Sequence, residues 1–98
     1  MKLLVIIFAL LVCAIGCATV TGTQSACLAK NQYFREVAQC IWSKKLAHYS
    51  TASRSAIADY EAHVALLEQR VSSGQMTDAQ AKLALQAYLE RWQAAYSN

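Results

Sequence analysis

Two apolar runs in the C-terminal half of the chain fit each other across a short gap, and nothing else in the sequence constrains the fold as tightly. Ile57, Tyr60, Val64, Leu67 and Val71 are spaced 3, 4, 3, 4, and Ala81, Leu85, Tyr88, Trp92 and Ala95 are spaced 4, 3, 4, 3. Each is the heptad rhythm of one helical face, as in a coiled coil. In an antiparallel helix pair, facing residues have a constant sum of numbers. Val71 with Ala81, Leu67 with Leu85, Val64 with Tyr88, Tyr60 with Trp92 and Ile57 with Ala95 all give 152. The seams are therefore in register, with small residues opposite large ones at both ends, as interdigitation requires. The punctuation agrees. Ser53 or Ser55 can cap the first of these helices, Gly74 supplies the left-handed residue that commonly ends one, and Thr77-Asp78-Ala79-Gln80 forms a capping box with Asp78 at the positive end of the dipole. The reading is a helical hairpin over about 53–73 and 77–96.

A further helix precedes it, over about 31–48. Asn31 is placed to cap it, and Phe34, Val37, Ala38 and Ile41 share a face with the stem of Lys45. Between Tyr49 and Ser53 stand poor helix formers but no Gly or Pro, so the chain either turns there or runs on with a weak point. The whole chain has no Pro and only three Gly, a composition that favours helix. The expected fold is all-α: an antiparallel helical hairpin plus an N-terminal helix, a small three-helix bundle occupying residues 31–98.

The N-terminus has a different character. Lys2 gives a positive start, Leu3 to Val12 are unbroken apolar residues, and small residues then lead to Cys17. This is the layout of a cleaved signal peptide over residues 1–16, and the apolar run is shorter than the roughly 20 residues needed to span a bilayer. The last four residues, Ala14-Ile15-Gly16-Cys17, resemble the lipobox of bacterial lipoproteins, with Ala14 where Leu is usual. The resemblance implies that Cys17 is acylated, with palmitate among its chains, and becomes the mature N-terminus. A general signal peptidase would cut the same bond without any lipid. By resemblance to lipoproteins of double-membrane bacteria, Ala18 after the cysteine favours the outer membrane, facing the periplasm. Thr19 to Ala26 show no periodicity and read as a flexible tether, so residues 17–30 are expected to be a lipidated N-terminus and linker. Removing the first 16 of 98 residues leaves 82, enough for one small domain.

Charge is uneven. Residues 27–54 carry Lys30, Arg35, Lys44, Lys45 and Arg54 against Glu36, whereas residues 55–98 carry Arg70, Lys82 and Arg91 against Asp59, Glu61, Glu68, Asp78 and Glu90. The basic half is the one beside the anchor, where each basic residue near anionic lipid contributes on the order of 1 kcal/mol. Trp42 with Lys44, Lys45 and Tyr49 has the amphipathic chemistry of a membrane interface, although Trp42 could equally cover the bundle. Nucleic acid is a poor partner for a small net charge with no basic stripe.

Candidates for chemistry are few. Cys27 and Cys40 are the other exported thiols, and an oxidising compartment favours a disulfide. In one continuous helix they would lie about 20 Å apart, too far to bond. With a helix starting near Asn31, four extended residues could fold back to Cys40, and the alternative is two free buried thiols. His48 and His63 lack the close spacing of a zinc site with Cys40, and Cys40 as a nucleophile has no directed base. No catalytic residue, cofactor, metal or small-molecule substrate is expected. Leu66, Leu83 and Leu89 lie off the seam and need cover. With Trp42, Lys44 and Lys45 they are the expected interface, which points to a membrane-anchored structural or accessory lipoprotein docking onto an envelope complex or onto itself. A periplasmic binding module, such as an inhibitor, immunity or exclusion factor, fits the same size and address.

Overall fold

In the computed structural model, which describes residues 19–96, every regular element is an α-helix. The expected signal segment and Cys17 lie outside the described residues. α1 is described over residues 19–30, followed by α2 (Phe34–Ser43), α3 (Leu46–Tyr49), α4 (Arg54–Ser72) and α5 (Asp78–Tyr96).

The caps of α4 and α5 follow from local sequence. Ser53 Oγ accepts from the Ala56 amide at 3.2 Å and starts α4, while Ser55 lies inside its first turn. At the other end Gly74 adopts φ +80°, the Gly74 amide bonds to Val71 O at 3.1 Å and the Gln75 amide bonds to Arg70 O at 2.9 Å. That pair of bonds is a Schellman motif, satisfying carbonyls the helix leaves open. The capping box of α5 is reciprocal: the Gln80 amide donates to Thr77 Oγ1 at 3.1 Å, and the Thr77 amide to Gln80 Oε1 at 2.9 Å. Between these ends α4 and α5 pack along the seam. Ile57, Tyr60, Val64, Leu67, Ala81, Leu85 and Trp92 are buried, with Val71 and Tyr88 half-buried. The Tyr60 and Trp92 rings, which face each other in the expected register, are 5.8 Å apart. Ala95 is exposed, so the seam stops one residue short of its expected end.

α2 lies against both helices and buries Phe34, Val37, Ala38 and Ile41. Its beginning corrects the expectation for Asn31. The helix starts at Phe34, after an N-cap, Tyr33, whose side chain caps nothing. The Phe34 amide instead donates to Asp78 Oδ1 at 2.7 Å, so a carboxylate at the head of α5 also caps α2. Asn31 Nδ2 donates backwards to Cys27 O at 2.9 Å, and Asn31 O accepts from Lys82 Nζ at 2.7 Å. The first two turns of α5 thus grip the turn between α1 and α2. Nor is 31–48 one rod. α2 ends at Ser43, Lys45 takes the left-handed conformation at φ +50°, and the single turn of α3 inserts Leu46 into the core. The chain then leaves through extended Ser50 and Ser53, so it turns before α4.

The largest correction concerns residues 17–30. From residue 19 onward the expected flexible tether is helix, with Val20, Gln24 and Cys27 buried in the same core as the hairpin. Thr, Val, Gly and Ser are mediocre helix formers. Tertiary ties outweigh that preference. Tyr60 Oη donates to Gln24 Oε1 at 2.6 Å, Gln93 Nε2 donates to Thr21 Oγ1 at 2.6 Å, and Cys27 is joined to Cys40.

Candidate functional site

The disulfide joins α1 to α2, with Cα atoms 5.7 Å apart. No extended fold-back is used. The chain reverses over 31–33, so Cys27 and Cys40 come from two neighbouring helices and not from one helix and a strand-like linker. Cys27 is fully buried and Cys40 half-buried, so neither presents a free thiol as a nucleophile or metal ligand. By loop-closure arguments a bridge of this span contributes about 3 kcal/mol.

The expected interface residues separate. Trp42 is 38 % exposed on α2, where it lines a shallow groove of about 410 Å³ with Arg35, Gln39, Glu68 and Ser72. Lys44 and Lys45 are exposed at the corner between α2 and α3. Leu66 on α4 and Leu83 on α5 are exposed, the latter by 67 %. Leu89 is not part of any such surface. It is buried at 7 % exposure, because it stands four residues after Leu85 and three before Trp92 and so falls on the flank of the seam that the core covers.

Polar groups in the interior are closed in on themselves. Tyr60 and Gln24 satisfy each other, and the Trp92 indole N–H donates to Ala56 O at 2.7 Å. Burial, with the charge of Glu61 and then Tyr88 nearby, holds the Tyr60 phenol far above its usual range, so it stays a neutral donor. Among the described residues no buried side-chain nitrogen or oxygen lacks a partner. This network therefore reads as core architecture.

A second aromatic group lies at the surface. His63 stacks on Tyr88 with ring centroids 3.8 Å apart, and partial burial, then Arg91 and Arg70, lower its pKa. Tyr88 Oη donates to Asp59 O at 3.2 Å, and Tyr96 Oη donates to Asp59 Oδ2. The bond to Asp59 is the main reason the Tyr96 phenol titrates above its ordinary value. His48 is elsewhere, in a shallow groove of about 320 Å³ between α3 and the first two turns of α4, with Ala47, Arg54, Ile57, Ala58 and Glu61. Among the described residues no three of His, Cys, Asp and Glu come close enough to hold a metal ion, and no helix is long and apolar enough to cross a membrane.

The sequence reading missed the end of the molecule to which residues 19–21 of α1 belong. The Thr21–Gln93 bond puts this part of α1 beside the last turns of α5, and the Tyr96–Asp59 and Trp92–Ala56 bonds put that end of α5 beside the start of α4. The 4, 3 spacing of Val20, Gln24 and Cys27 was the available signal. Compared with known proteins, the chain matches no family model, and no curated protein and no solved structure shows significant similarity to it.

Proposed function

We propose that this chain is a small lipoprotein of the cell envelope, cleaved after Gly16, acylated on Cys17, and acting as a structural or accessory component of an envelope complex. The observation that carries this reading is the lipobox-like Ala14-Ile15-Gly16-Cys17 standing directly ahead of an all-helical, disulfide-stapled domain. A cysteine pair bridged in the folded chain fits export to an oxidising compartment. The bundle of α1, α2 and the α4–α5 hairpin is the rigid unit presented there, and exposed Leu66, Leu83 and Trp42 are its apolar docking residues. The address is the outer membrane, facing the periplasm.

Intact-mass analysis tests this directly. The wild-type chain should begin at Cys17 and carry the mass of its acyl chains, and Cys17→Ser should give an unprocessed or soluble product. An unmodified mature chain free in the periplasm contradicts the reading. Purification from detergent-solubilised envelopes should then return a stoichiometric envelope complex.

A further inference from the structure

From the position of α1 we infer that the end of the domain formed by residues 19–21 of α1, α3, the start of α4 and the last turn of α5 is a seat for phospholipid headgroups. The inference rests on the acylation of Cys17 proposed above, and it adds an orientation to it. Residue 19 is already helical, Val20 is fully buried and Thr21 is bonded to Gln93, so the chain is part of the folded domain from residue 19 at the latest. Two chain steps of about 3.8 Å separate Cys17 from Thr19, so an acylated Cys17 holds this end within about 8 Å of the point where its chains enter the bilayer. A domain held that closely rests on the headgroups.

The chemistry of this end suits them. Tyr49 is 73 % exposed and Tyr96 44 % exposed, and an aromatic ring with a polar tip partitions to the headgroup level. From Lys44 to Ala58 the chain carries Lys44, Lys45, His48 and Arg54 and no carboxylate. Of the carboxylates that follow, Glu61 lies in the groove with His48 and Arg54, and Asp59 is engaged by Tyr96. α4 has 19 residues, so the Gly74 turn projects about 28 Å away from the seat. Tyr33, 55 % exposed, adjoins Phe34 and hence the head of α5, at the far end.

Hydroxyl-radical footprinting of the acylated chain in phosphatidylcholine–phosphatidylglycerol vesicles tests the seat, with Tyr33 as internal reference. The comparison is the same chain carrying a Gly-Ser insertion of about ten residues after Ala18, which adds about 17 Å of reach and leaves residues 19–96 unchanged in sequence. Tyr49 and Tyr96 should oxidise several-fold more slowly relative to Tyr33 in the wild type, and the insertion should abolish that difference. Equal ratios in the two chains, with acyl mass present on Cys17, overturn the seat and leave the anchor standing. Absence of acyl mass, with the chain free of vesicles, overturns both.

Discussion

Asp78 shows how much one side chain can do when two helices meet. It sits in the first turn of α5, where a carboxylate interacts favourably with the dipole, and its Oδ1 accepts the amide of Phe34 across a separation of 44 residues. The cap it gives α2 is the one Asn31 and Tyr33 do not supply. Asp78→Ala should therefore cost about 1–2 kcal/mol in denaturant unfolding. Asp78→Asn, which keeps an acceptor, should cost less. Equal loss in the two variants would mean that the charge matters and the bond to Phe34 does not. Half of this role was legible: the capping box placed Asp78 at the head of a helix. The reach to Phe34 was not, because it depends on how the turn at 31–33 docks, and no local pattern encodes that.

At the scale of elements, the register of the hairpin was readable because both seams are apolar and share one period, and each end carries its own punctuation. What the pairing could not show was a second layer. With α1 lying along the stripe of α5 that carries Lys82, Gln86 and Gln93, Leu89 on the same stripe is interior while Leu83 remains outside. Leu67→Ala and Leu89→Ala should each destabilise by roughly 2 to 5 kcal/mol, whereas Leu83→Ala should stay within about 0.5 kcal/mol. Circular dichroism melts of the three variants check this, and a Leu89 variant that behaves like the Leu83 one would remove the second layer. α1 was hidden for a related reason. Val20, Gln24 and Cys27 carry the helical period, but a polar residue at its centre and the Thr and Gly around it look like linker until Tyr60 is known to meet Gln24 inside the core.

For the whole molecule, the consequence is where the folded domain starts. Were Cys17 acylated as proposed, a dozen flexible residues after it would let the domain sample a wide volume above the membrane, whereas a chain already helical at residue 19 would be held at the surface with a fixed end towards it. The disulfide and the bonds of Thr21 and Gln24 make α1 part of the same cooperative unit as the hairpin. Hydrogen exchange of the backbone amides of residues 24–30, which lie beyond the first turn and so have helical partners, measures this most directly. Protection comparable to that of the buried turns of α4 around Val64 and Leu67 is the predicted result. Exchange at the rate of an unstructured peptide, while α4 and α5 stay protected, would contradict it and return residues 19–30 to the role of a tether.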